Sequence, residues 1–128
     1  NLLNEKNNGN IILNLIKKNL VCSVHDVSVG GLIIALSEMS IGSGLGIKIE
    51  KSKNMRNLFE FFFGEDQGRY LIEVDESNYN EIQKILKDNN IFSELIGIVQ
   101  GDNFELPGEL NIGINELCNI NNKWYYNY

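Results

Sequence analysis

Apolar residues switch spacing repeatedly along this chain, and that alternation narrows its fold more than any other feature. Residues 9–20 place Ile11, Ile12, Leu15, Ile16 and Leu20 on one face of a helix. Residues 21–25, Val-Cys-Ser-Val-His, then alternate as a short strand does. Leu32 to Ile41 returns to a helical pattern with Leu32, Ile33, Ala35, Leu36 and Met39, and Gly46 to Glu50 reads as a strand. A short aromatic helix follows over 55–63, then a strand over 68–74. An amphipathic helix over 75–89 turns Tyr79, Ile82, Ile85 and Leu86 inward, and 94–100 forms another strand. Gly101-Asp102-Asn103 reads as a hairpin-like turn into Phe104-Glu105-Leu106. Leu110 to Ile112 offers one more strand, and 115–125 a closing helix with Leu117, Ile120 and Trp124 on one side. Residues 1–8 are polar and read as an irregular lead-in. A regular parallel fold would not end in a hairpin. The expected class is therefore α+β, a mixed β-sheet with packed helices, in one domain over 9–128.

Composition removes several function classes. A chain of 128 residues buries about two-thirds of its unfolded surface. Its 43% hydrophobic and 22% charged residues exclude a disordered or collagen-like chain. The net charge is −6, and no basic cluster is longer than Lys17-Lys18. Nucleic acid is thus not an expected partner, because neutralising phosphates needs a concentrated positive field. No apolar stretch approaches the ~20 residues that span a bilayer, so no membrane partner is expected. The opening Asn1-Leu2-Leu3-Asn4-Glu5-Lys6 lacks the basic start and apolar run of a signal peptide. Cys22 and Cys118 make no disulfide framework. A cytoplasmic protein with two reduced, buried thiols is expected, with one bridge between them left open.

One handover from strand to helix stands out: His25-Asp26-Val27-Ser28-Val29-Gly30-Gly31-Leu32. A helix start offers unsatisfied N–H groups and partial positive charge. Two glycines let a phosphate approach the backbone. Asp26, Ser28, Gly30 and Gly31 are therefore candidates for binding a phosphorylated ligand. Ordinary capping fits the same residues, with Asp26 or Ser28 accepting from those N–H groups. His25 is the single histidine. It has no second His or Cys at ligand spacing, so a metal site is not expected on it. Asp26 would project to the opposite face of the strand and would not orient His25 for a catalytic triad. A hydrogen-bonded structural histidine is the expectation.

A second block, Gly64-Glu65-Asp66-Gln67-Gly68-Arg69, brackets two carboxylates and an amide with glycines. Such a set can hold Mg²⁺ or hydrogen-bond a polar substrate. It also suits a solvated turn in which Glu65 or Asp66 pairs with Arg69. Gly42-Ser43-Gly44-Leu45-Gly46 has the glycines of a dinucleotide loop, but it joins a helix to a strand, which is the wrong order. Phe61-Phe62-Phe63 suits a core or a domain interface, and the tail Trp124-Tyr125-Tyr126-Asn127-Tyr128 suits docking on another domain.

Together these blocks resemble a known family. His25-Asp26-Val27-Ser28-x-Gly30-Gly31-Leu32 with Ala35-Leu36-Ser37-Glu38-Met39, then Phe63-Gly64-Glu65-Asp66-Gln67-Gly68-Arg69-Tyr70 and Ile96-Gly97-x-Val99, is similar to the phosphoribosylformylglycinamidine synthase large subunit. The resemblance covers nearly the whole chain from residue 9 and points to that enzyme's last AIR synthase-related C-terminal domain. The implied fold is the AIR synthase (PurM-like) C-terminal domain, partly ferredoxin-like.

The implied activity is that of an ATP-dependent ligase of purine biosynthesis. It converts formylglycinamide ribonucleotide and glutamine-derived ammonia to the amidine, with ATP and Mg²⁺ as cofactors of the full enzyme. The implied partners are the missing N-terminal domains, a glutamine amidotransferase subunit and a small accessory subunit. The family's catalytic positions lie mainly upstream, so none is assigned here and the chain alone is expected to be inactive. Glu65 and Gln67 become binding candidates by pseudo-symmetry with a Glu-Ser-Gln element in the enzyme's other half. Asp26, Ser28, Gly30 and Gly31 would line the phosphate side of a cleft. Val29 stands where the family usually has Asp. Other expectations are a stand-alone phosphometabolite-binding module, or the same domain from another superfamily member, such as thiamine-monophosphate kinase or selenophosphate synthetase.

Overall fold

Helices and strands alternate as the spacing predicts, though two stretches depart from it. The computed structural model describes residues 2–50, 57–66 and 68–126. In chain order the elements are α1 (Leu2–Lys17), β1 (Ser23–Asp26), α2 (Gly31–Ser43), β2 (Ile47–Ile49), α3 (Leu58–Phe63), β3 (Tyr70–Glu73), α4 (Glu76–Asp88), β4 (Gly97–Val99), β5 (Asn103–Leu106), β6 (Leu110–Gly113) and α5 (Ile114–Tyr126). They divide into two units, one of residues 1–35 and 64–94, the other of 36–63 and 95–128. The class is α+β, and the strands form a two-stranded and a four-stranded sheet.

In the first unit β1 and β3 pair antiparallel, from Ser23 opposite Glu73 to Asp26 opposite Tyr70. The ladder extends past both ends: Cys22 N donates to Glu73 O at 2.8 Å and Val27 N to Arg69 O at 3.0 Å. Ile11 and Leu15 of α1 cluster with Leu20 and with Ile82 and Leu86 of α4. Ile72 and Val74 pack against that cluster. The helix stripes seen in the sequence thus form the core.

Both helices stop in the same way. Asn19 and Asn90 take left-handed φ values of 53° and 56°. After α1, Asn19 N donates to Ile16 O and Leu20 N to Leu15 O. After α4, Asn90 N donates to Lys87 O and Ile91 N to Leu86 O. These are paired bonds of the Schellman type, which satisfy the last carbonyls of a helix. Each also turns the next apolar residue, Leu20 or Ile91, back onto the core. At its start α4 is capped by Asp75, which accepts from Ser77 N at 2.9 Å and Ser77 Oγ at 2.6 Å.

The second unit holds the sheet in the order β4-β2-β5-β6. β2 runs parallel to β5, and the other pairs are antiparallel. Ile49, Phe104, Leu106, Ile114 and Phe62 are buried.

The hairpin expected across 101–103 is not there, because β2 lies between β4 and β5. The connection wraps the start of β2 instead: Gln100 N donates to Gly46 O and Gly46 N to Gly101 O, both at 2.9 Å. A Cβ on Gly46 would lie 2.5 Å from Asn103 O and 2.6 Å from Gln100 O, so only glycine fits. The hairpin in this unit joins β5 to β6. Glu109 N donates to Leu106 O across Pro107-Gly108, and Gly108 has φ 79°. Pro followed by a positive-φ Gly is the composition of a type II turn.

Two other expectations are corrected. Residues 2–8 are helical, not irregular. They lack an apolar stripe because they bury little, with Leu2 and Leu3 82% and 77% exposed, so spacing could not reveal them. The thiols are free, but Cys22 is exposed and Cys118 only half-buried. Val21 packs on the core, and its neighbour in extended chain faces the other way. Among the described residues no helix is long and apolar enough to cross a membrane.

Candidate functional site

The two glycine-rich blocks meet in the first unit. β1 ends at Asp26, and buried Val27 with its bond to Arg69 O fixes where the chain leaves the sheet. Asp26, Ser28 and Val29 then stand exposed, Val29 at 83%. Gly30 and Gly31 follow with φ of 82° and 73°, two successive left-handed residues that only glycine adopts readily. Gly31 N donates to Ser28 O at 3.0 Å, which closes the turn into α2. A Cβ at Gly30 would collide with Ile34 Cγ1 of the first turn of α2.

The carboxylate that reaches this turn comes from 35 residues away. Gly30 N donates to Glu65 Oε1 at 2.8 Å. An amide at a helix start favours an anion, and a charged acceptor strengthens the bond. Neither Asp26 nor Ser28 takes that N–H. Ser28 contributes its backbone oxygen instead. Glu65 therefore occupies a position that a phosphate oxygen would suit.

Its neighbours settle differently. Asp66 Oδ2 lies 3.6 Å from Arg69 Nη1, with Asp66 79% exposed. Such an open pair contributes little to stability. Arg69 Nη1 also donates to Gly64 O at 3.4 Å. Gln67 lies outside the described residues. The loop is held from a third side by α1, where Asn8 Nδ2 donates to Gly68 O at 3.0 Å. His25 is hydrogen-bonded as expected: its Nδ1 lies 2.6 Å from Asp26 O, which places the proton on Nδ1 as donor.

The structure thus joins Gly30, Gly31, Ser28 and Glu65 at one turn, with Asp26 beside it on the chain. Carboxylates at such a turn have the chemistry to accept from sugar hydroxyls or to ligate a cation that bridges to phosphate. Asn8 was missed because residues 1–8 showed no helical stripe. The signal lay in register, since Asn8 stands three and seven residues before Ile11 and Leu15.

Residues 1–106 match the family described as AIR synthase related protein, C-terminal domain. The chain belongs to that family. Among relatives of this AIR synthase-related domain, the phosphoribosylformylglycinamidine synthase subunit PurL of Pelagibacter ubique (strain HTCC1062) is 42% identical over 128 residues, all of this chain and 18% of that protein. The chain thus spans under a fifth of the length of that curated relative. Two solved structures, T. maritima PurL complexed with FGAR and PurLQS from Thermotoga maritima, superpose on it with a TM-score of 0.74 at 18% identity. Each covers 89% of this chain and 21% of its own. T. maritima PurL complexed with ATP gives 0.68 at 18% identity over 83% of this chain and 20% of that one. These likenesses establish the fold.

Proposed function

We propose that this chain is the last AIR synthase-related C-terminal domain of a phosphoribosylformylglycinamidine synthase, inactive by itself. The full enzyme would use ATP and Mg²⁺ to activate the formamide oxygen of formylglycinamide ribonucleotide, and ammonia would then displace phosphate. Its partners would be the N-terminal domains of the same polypeptide, a glutamine amidotransferase subunit and a small accessory subunit, in the cytoplasm. The domain itself would extend over residues 9–128.

The observation that carries this reading is the Gly30–Glu65 bond, which unites the two blocks that resemble the synthase. The names of the relative and of the structures matched above support it. Exposed aromatic groups are consistent with it too. Phe59 and Phe63 stack at 5.4 Å while 76% and 54% exposed, and Trp124 is 62% exposed. Large apolar groups left open mark surfaces that meet other protein. Asp26, Ser28, Gly30 and Gly31 would face the phosphates of a nucleotide, and Glu65 and Gln67 its polar groups.

The test is ATP-dependent amidine formation with ammonia as nitrogen donor. The chain alone should give none and the longer polypeptide carrying it should turn over. An inactive longer polypeptide, or turnover by the chain alone, would overturn the proposal. Saturable binding of a ribose phosphate by the isolated chain, weakened by Gly31→Val, would favour a stand-alone module instead.

A further inference from the structure

We propose that the first half of α1 is a positioning element for the Glu65 loop, acting through Asn8. The first two turns of α1 bury little, as the exposure of Leu2 and Leu3 shows, so core packing does not explain why they hold their place. They do meet the loop. Asn8 Nδ2 donates to Gly68 O across 60 residues of sequence, in a half-buried setting. Gly68 sits at φ 76° directly on the helix, where a Cβ would approach Glu5 Cγ to 2.9 Å. One turn on, a Cβ at Gly9 would lie 3.5 Å from Tyr70 Oη, at ordinary contact distance. The loop backbone is thereby fixed at Gly68 by α1 and at Arg69 by Val27 N. Glu65 reaches Gly30 from three residues upstream of Gly68. Asn8 binds the loop backbone at Gly68 and not the carboxylate of Glu65. It sets where the carboxylate of Glu65 stands, and so how far the turn at Gly30 is open to an anion.

Any consequence for ligand binding rests on the function proposed above, but the test does not. In the ¹⁵N-labelled chain, Glu65→Ala gives the Gly30 amide shift that marks loss of the Glu65 acceptor. Asn8→Ala should lower the ratio of bonded to unbonded Gly30 amide about fivefold, the weight of one ordinary hydrogen bond, and so move its resonance toward the Glu65→Ala position. Asn8→Asp, which keeps the shape but removes the donor, should do the same. Amides of Ile82 and Leu86 in the core should keep their shifts. An unmoved Gly30 resonance in both Asn8 variants would overturn the proposal. So would equal disturbance of the core amides, because α1 would then act only by adding stability. Failure of the enzyme reading shows up separately, as a longer polypeptide without turnover whose Gly30 shift still responds to Asn8.

Discussion

The two units of this chain complete themselves by opposite means. In the first, closure is local. α1 and α4 each stop within three residues of their last turn, at a left-handed Asn whose successor drops into the core. In the second, closure is remote. β2 is flanked by β4 and β5, which lie about fifty residues further along the chain. The first kind of order is written in adjacent residues, and the second emerges only when distant strands meet. Local endings tolerate small changes, whereas a strand wrapped by a later connection leaves no room for them.

Core truncations give the largest expected effects and ask whether the units stand or fall together. Phe104→Ala, at a position 1% exposed in the second unit, should cost about 3–5 kcal/mol. Leu15→Ala, fully buried in the first unit, should cost about 2–5 kcal/mol. Chemical denaturation followed separately in each unit would show one shared transition if they are coupled, and two if the division is energetic as well as geometric.

The wrapped strand comes next. Gly46→Ala must push aside backbone at Asn103 and Gln100, and should cost about 1–3 kcal/mol. Gly42→Ala in α2 has nothing within 4 Å of the new Cβ and should gain about 0.5–1 kcal/mol. Equal effects in urea melts would erase the contrast between the two kinds of order.

The helix stops should respond more gently. Asn90→Ala forces alanine to φ 56° and should lose about 1 kcal/mol, while Asn90→Gly should hold or raise the melting temperature.

The smallest effect is at the start of α4. Hydrogen bonds from the Ser77 side chain and backbone hold the Asp75 carboxyl below its usual pKa. The folded state therefore favours the carboxylate. Its stabilisation is present above the unfolded Asp pKa of about 3.9, and is lost as pH falls through the lower folded value. Asp75→Ala should flatten this part of the acid-side decline of the melting temperature. An unchanged acid profile would remove Asp75 from the account.

Where order was local, the sequence announced it. The stripe of Ile82, Ile85 and Leu86 located α4 because helical spacing and burial coincide there. Pro107-Gly108 carried the signal for the hairpin, but Gly101-Asp102-Asn103 offers a similar one, and turn residues do not name the strands they join. Polar turns such as residues 2–8 show no stripe when their partner is a loop, and their helix was hidden for that reason. The two halves of the candidate site were each visible as glycine-rich blocks. The bond between them was not, because Glu65 and Asp66 are chemically alike and only the fold sends one to Gly30 and the other to Arg69.

The interleaved sheet also sets a clock on synthesis. β2 is complete at Ile49, yet both its neighbours lie beyond residue 96. At about 5–20 residues per second, a ribosome leaves that strand waiting for roughly 3–10 s. Through that interval both its hydrogen-bonding edges lack the strands that will cover them. The three residues Ile47–Ile49 are short enough to keep the exposed edge small while the rest of the sheet is made.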